Sequence, residues 1–454
     1  MTSHPKYSGL LTDLYELTMA AGYFETGFDA RATFELFVRA LPPRRTYLVA
    51  AGLDQGLDFV ENMRFSEEEI AYARKQPVFA HTSVNFFKYL AEFQFSGDVW
   101  AMPEGTVFFP GEPILSVTAP IVEAQIVETF LLATINFQTM IASKAARITQ
   151  AAEGRPVIEF GTRRAHGIES GVLAARAAMI GGCQGTSNVA AGYQFGIPVY
   201  GTQAHSWIMA YEDEAEAFER FLDIFPDHAV LLVDTYDVRA AVEKIISAAR
   251  KPRGIRLDSG DLTADSAWAR ARLDQAGWKD VIVFASGDLD EDRISSLLAE
   301  GARIDGFGVG TALVTSNDSP TLGVIYKLVE IEIGGEVRSA AKFSAAKVTY
   351  PARKQVHRFS HADGSFGSDV ISLREENFPG AEPLLEPVML GGRRVVPRTD
   401  LDAARARCFK QRARLPEPVR NLNAKVASYT VRHSEKLEAL LEQVRRRVQH
   451  AAPS

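Results

Sequence analysis

From about Arg155 to Leu328 the chain repeats one unit: a short apolar, β-branched run, a polar or glycine-rich turn, then a helix-like stretch. The runs are PVIEF, IGGCQ, IPVY, AVLLVD, GIRLD, VIVFA and IDGFGV. Uninterrupted apolar strands suit a sheet covered on both faces, and their alternation with helices implies parallel strands joined by crossovers. DSAWARARLDQAGW and DEDRISSLLAEG read as connecting helices, the second with acidic residues in its first turn and Gly301 where a helix stops. Seven units predict an α/β architecture built on a βα barrel of irregular form. An open doubly wound sheet is the alternative.

The flanks have a different texture. In SGDVWAMPEGTVFFPGEPILSVTAPIVEAQIVETF, Pro and Gly punctuate short alternating strands ahead of an apolar helix through LLATINFQTMIASKAARI. Past Tyr326, the stretches YKLVEIEI, SAAKFSAAKVTY and GSDVISL are strand-like again. The expected division is an α+β domain over residues 1–150, a catalytic barrel over 151–328, and a segment 329–454 that returns to the first domain. That makes the second domain discontinuous and sandwich-like. The tail SEKLEALLEQVRRRVQH reads as a packing helix with a stripe at Leu437, Leu440, Leu441 and Val444.

Composition narrows the classes. The 454 residues exceed the roughly 250–300 at which one core stops growing, so two domains are expected. No apolar run approaches the about 18 residues that a membrane span needs, and no basic leader precedes an apolar stretch, so a cytoplasmic chain is expected. Cys183 and Cys408 are too few for a disulfide framework or a four-cysteine zinc site. A net charge of −7 excludes general attraction to nucleic acid or acidic lipid, so an anionic ligand needs a local arginine cluster.

In a βα barrel, functional side chains collect at the carboxyl ends of the strands. EFGTRRAHG supplies Arg163, Arg164 and His166 there, GTQAHSW supplies His205 and Ser206, and RLDSGDL supplies Arg256, Asp258 and Asp261. Ser286, Gly287 and Asp288 open a helix in this reading, and Gly308, Gly310 and Thr311 follow the next strand. Small residues in such turns let backbone N–H groups approach an anion, although tight turns need them too. Arg256 and Asp258 lie two apart on a strand end and so on one side; they form either a salt bridge or a pair of ligand contacts. In the second case the guanidinium takes an acid, and the carboxylate takes sugar hydroxyls or a Mg²⁺ ion. Asp261 either joins them or caps the next helix. Asp234 and Asp237 read as a strand end with a helix cap. His4, His81, His228, His357, His361, His433 and His450 read as surface residues. Together these turns describe a site for a phosphorylated sugar.

DLYELTMAAGY, RxLPxxRxYLVAAGL, EFGTRRAHG, GTQAHSW, RLDSGDL, VFASGDLDE and GFGVGTxL, in that order, resemble the nicotinate phosphoribosyltransferase family. The likeness runs from about Leu11 to Arg358, and it implies an irregular seven-stranded barrel with a sandwich domain, working as a head-to-tail homodimer. The implied reaction joins nicotinate to 5-phosphoribosyl-1-pyrophosphate (PRPP), with ATP as co-substrate and Mg²⁺. By the same resemblance, Phe160 and the partner subunit's Tyr15 sandwich the pyridine ring, and Arg163 and Arg256 face its carboxylate. Asp258 takes the ribose hydroxyls, and the 5-phosphate sits on Ser286, Gly287, Gly310 and Thr311. Ser187 stands where the amide-using relative carries aspartate, which favours the acid substrate. His205 falls at the phosphoryl-accepting position. Lys327, Lys342, Lys347 and Lys354 bring positive charge to the pyrophosphate or form a solvated basic face. A nicotinamide-using enzyme and a non-catalytic nucleotide or pyridine sensor on the same fold are the competing readings.

Overall fold

The computed structural model describes residues 6–343, 348–423 and 429–451. Its contacts divide the chain into two compact units, Met140–Pro320 and a second made of Met1–Thr139 with Thr321–Ser454. Each expected boundary falls later in the chain than the observed one.

Unit Met140–Pro320 is built on six parallel strands. In chain order they are Val157–Glu159, Gly185–Thr186, Val230–Leu232, Gly254–Leu257, Ile282–Ala285 and Gly306–Val309, first to sixth. In space the first strand lies between the second and the sixth, followed by the fifth, fourth and third. Phe307, Gly308 and Val309 pair with Val157, Ile158 and Glu159, which sets first and last strands side by side. Leu231, Ile255, Val283 and Phe307 are all fully buried, as apolar runs between two helical layers require.

Two of the seven expected runs behave differently. IGGCQ is the end of helix Ile168–Ile180 and its exit turn, and the strand begins only at Gly185. A methyl at Gly181 would overlap the Ala142 carbonyl, so the glycines there serve close helix packing rather than a strand. IPVY makes a single parallel bridge, Thr186 to Val199. The two helices named in advance occupy Leu262–Gln275 and Glu291–Ala299, capped by the side chains of Asp261 and Asp290, and Gly301 takes the left-handed φ of 90° after the second.

The other unit interleaves the two ends of the chain. A seven-stranded sheet sets Arg31–Val38 between Pro113–Pro120 and Val324–Ile333, antiparallel to both. A four-stranded sheet carries Lys354–Ser360 and Phe366–Leu373 at its centre. The helix Glu435–Ala451 buries Leu437, Leu441 and Val444, with Leu440 half-buried beside them. Two buried ion pairs lie within this unit: Arg358 with Asp369 at 2.6 Å, and Lys354 with Glu35 at 2.7 Å. Lys354 therefore belongs to no solvated basic face, because its ammonium is spent on Glu35 and the carbonyls of Tyr350 and Ala352. Lys347 and His4 lie outside the described residues. His357 is buried against Phe378 rather than exposed, and burial depresses its basicity. Both cysteines are buried. Among the described residues, no helix is long and apolar enough to cross a membrane.

Candidate active site

The turns after the third, fourth and fifth strands of the parallel sheet meet around one carboxylate. Gly254–Leu257 ends with Arg256 and Asp258 on the same side, and they pair: Arg256 Nη2 lies 2.7 Å from Asp258 Oδ1. Arg256 Nε donates to Ser286 Oγ at 2.8 Å, and its Nη1 donates to Thr202 Oγ1 at 2.6 Å. The Ser286 hydroxyl in turn donates to Asp258 Oδ1. From the other side, Asp234 Oδ2 accepts the Asp258 backbone N–H at 3.0 Å and the Ser259 hydroxyl at 2.6 Å. Three strand ends and the Thr202 segment are thus joined by hydrogen bonds to charged groups, the stronger kind.

The energetics follow from burial. Removing Asp258 from water opposes its charge, but hydrogen bonds from Ser286 and Arg256, and the charges of Arg256 and His205, outweigh that cost. Its carboxyl is held below the usual range, so it is an anion at neutral pH. His205 is the first residue of helix His205–Met209, not a strand-end residue, and is partly exposed. Its Nδ1 is 3.1 Å from Thr235 Oγ1, and its Nε2 is 3.8 Å from Asp258 Oδ2. Imidazole and carboxylate therefore face each other at the rim. Ser206 follows on the same helix and is exposed.

The glycine turns are more specialised than their sequence suggests. Ser286, Gly287 and Asp288 do not open a helix; it begins at Glu291, because Asp290 caps it through the Arg293 N–H at 2.8 Å. Gly287 has φ of 89°, and any side chain there would overlap the Asp258 carbonyl oxygen. Gly308 lies within the sixth strand, where a methyl would overlap the Phe160 ring. Gly310 precedes the short helix Thr311–Thr315, with Thr311 exposed.

Phe160 leaves the first strand half-buried, its ring 5.8 Å from that of Phe284. The turn after it is held by Glu159, fully buried, whose carboxylate accepts the Gly161 N–H and the Thr186 hydroxyl. Burial raises the Glu159 carboxyl, and those two donors work against the rise. Asn188 completes the link, from its N–H to Thr186 Oγ1 at 2.9 Å and from its side chain to Thr162 Oγ1 at 3.0 Å. Arg163, Arg164 and His166 project from this turn into solvent, and Ser187 is exposed on the neighbouring one. Tyr15 and Lys342 belong to the other unit. Tyr15 is 45% exposed on helix Leu14–Glu25, with burial, Glu128 and Glu16 all opposing ionisation of its phenol. Lys342 is exposed, its backbone N–H paired with Thr349 Oγ1 at 2.9 Å.

Sequence reasoning passed over Thr202, Thr235 and Glu159, and read Asp234 only as a strand end. Asp234 carried a signal, an acid at the end of an apolar strand, whereas Asp237 and Asp261 do cap helices as one reading held. Among the described residues, no group of three or more His, Cys, Asp or Glu side chains is placed to hold a metal ion. Asp258 commits Oδ1 to Arg256 and Ser286, which leaves Oδ2 as its open oxygen.

Two family profiles match the chain: one described as the nicotinate phosphoribosyltransferase N-terminal domain over residues 10–136, the other as the nicotinate phosphoribosyltransferase family over 156–367. A nicotinate phosphoribosyltransferase of Mycobacterium tuberculosis is 46% identical, covering 96% of this chain and 94% of that protein. One from Bacillus subtilis is 44% identical over 81% of this chain and 76% of its own length. Among solved structures, human nicotinic acid phosphoribosyltransferase superimposes with a TM-score of 0.82 at 28% identity, covering 95% of this chain and 99% of that one. A nicotinate-nucleotide pyrophosphorylase from Pyrococcus furiosus gives 0.72 at 25% identity, covering 89% and 95%.

The contact between the two turns is testable. Gly287→Ala is expected to destabilise the chain by more than the about 1–2 kcal/mol of a left-handed alanine, since the methyl also meets the Asp258 carbonyl. Denaturant unfolding reads this, and an unchanged midpoint contradicts the packing described.

Proposed function

The chain belongs to the nicotinate phosphoribosyltransferase family, whose members serve NAD salvage, and from that premise we propose how its residues carry the reaction. Nicotinate's ring nitrogen attacks C1 of PRPP; the new C–N bond forms as the C1–O bond to pyrophosphate breaks, giving nicotinate mononucleotide. Little covalent work falls to the protein, so positioning and charge stabilisation carry the catalysis. The observation that carries this reading is the Arg256–Asp258–Ser286 cluster with His205 facing it across 3.8 Å.

In this reading Asp258, an anion at neutral pH, binds the ribose hydroxyls as positive charge grows at C1. Phe160 stacks on the pyridine, and Arg163 meets its carboxylate; the exposed Ser187 adds no charge to repel it. Arg256 contributes its charge from behind, already tied to Asp258 and Ser286. The 5-phosphate rests on Ser286–Gly287 and Gly310–Thr311. His205 accepts the terminal phosphoryl group of ATP: with Nδ1–H donated to Thr235, Nε2 holds the lone pair that attacks phosphorus, ADP leaves, and water later releases phosphate. Asp258, through Oδ2, would be the carboxylate that holds a Mg²⁺ ion, which would supply positive charge to the departing pyrophosphate. The strand order and the Val199 bridge support closure of the parallel sheet into a seven-stranded irregular barrel. A head-to-tail homodimer in the cytoplasm, with Tyr15 of the partner subunit over the pyridine and Lys342 of the partner subunit near pyrophosphate, completes the reading.

Turnover of nicotinate, PRPP and Mg²⁺, with and without ATP, tests it. Nicotinate mononucleotide and pyrophosphate are expected, faster with ATP; preference for nicotinamide, or binding without pyrophosphate release, overturns it. His205→Ala is expected to lose ATP hydrolysis and phosphoenzyme while keeping slow ATP-independent transfer, and full ATPase activity in that variant refutes the coupling role. Arg163→Ala is expected to raise KM for nicotinate about 10-fold or more with KM for PRPP nearly unchanged, the loss of one charge-assisted contact. Equal losses in both point instead to collapse of the site.

A further inference from the structure

Helix Glu128–Ala151 carries two cations into the core of the parallel-sheet unit. Lys144 and Arg147 are 1% and 3% exposed. Lys144 Nζ lies 2.6 Å from Glu291 Oε2 and 2.8 Å from Asp318 Oδ1, and Arg147 Nε donates to Glu291 Oε1 at 2.9 Å. Burial works against the Glu291 charge, yet Lys144 and Arg147 hold its carboxyl below the ordinary range.

The partners matter by their places in the chain. Glu291 is the first residue of its helix, immediately after the Ser286–Asp290 turn, and Asp318 follows the helix Thr311–Thr315 that Gly310 introduces. One ammonium therefore ties the start of the helix after the Ser286–Gly287 turn to the segment that follows the helix after Gly310. A buried ion pair adds little net stability over apolar side chains of equal volume, but it fixes direction and distance between the segments it joins. A phosphate bound by two turns depends on their spacing, and an error of about 1 Å at such a site costs up to about 100-fold.

We propose that Lys144 is a positioning residue for the phosphoribosyl substrate: by holding Glu291 and Asp318 it sets the spacing between the Ser286–Gly287 and Gly310–Thr311 turns. The assignment rests on the phosphoribosyl reading above. Arg147 steadies Glu291 from a second side.

Steady-state kinetics of the full chain test this. Lys144→Met is expected to raise KM for PRPP about tenfold and Asp318→Asn about threefold, with KM for nicotinate within about twofold of the unaltered chain in both. Lys144→Arg keeps the charge and recovers most of the affinity. Equal rises in both constants, or an unchanged PRPP constant in a folded variant, overturn the proposal. If Lys144→Met does not fold, Asp318→Asn decides, since it is nearly isosteric and that side chain is 20% exposed. Inorganic phosphate supplies a readout without turnover: it should raise the melting temperature of the unaltered chain more than that of Asp318→Asn. Equal stabilisation overturns the spacing role. Unequal stabilisation in a chain that turns over no PRPP supports it, and refutes only the enzymatic reading.

Discussion

The pairing of Arg256 with Asp258 is the constraint on which the rest of the site depends. A carboxylate half-removed from water is costly unless charge and hydrogen bonds compensate it, and here one guanidinium supplies both while also reaching Ser286 and Thr202. The strand ends that carry chemistry are therefore cross-linked before any ligand arrives. Asp234 repeats the logic from the opposite side by holding the backbone of Asp258 and the hydroxyl of Ser259. Such prior order lowers the entropy lost when a flexible sugar phosphate binds.

The order has two layers. Near the mouth, short hydrogen bonds join neighbouring turns: Glu159 links the Phe160 turn to Thr186, and Asn188 links Thr186 to Thr162. Deeper, Lys144 and Arg147 hold Glu291, the first residue of the helix after the Ser286–Gly287 turn, and Lys144 also holds Asp318, beyond the helix that Gly310 introduces. The glycines record how closely these parts approach, since Gly287 leaves no room for a methyl beside Asp258 and Gly308 none beside Phe160.

Much of this was legible in the order of residues. Apolar runs followed by polar turns located five of the six strands, and the turn residues Arg256, Asp258, Ser286 and His205 do come together. Where reading failed, the cause was long-range. IGGCQ is apolar and short like a strand, but its glycines answer to a helix packed against Ala142, which periodicity cannot register. Lys354 looked like surface charge because its partner Glu35 is more than 300 residues away in sequence. Lys144 sat in a run read simply as an apolar helix, and nothing local distinguishes a buried, paired lysine from a solvated one. Asp234 was visible at a strand end, but its value lies in what it accepts from Asp258 and Ser259.

The strand Arg31–Val38 has its two edges occupied by Pro113–Pro120 and Val324–Ile333. During synthesis its second edge stays open until the ribosome has delivered nearly the whole intervening chain, which takes tens of seconds at about 5–20 residues per second. The parallel-sheet unit, drawn from one continuous stretch, has no such delay. The nascent protein therefore carries a largely apolar strand with one edge open through most of its translation, a template for the wrong partner until residues 324–333 arrive.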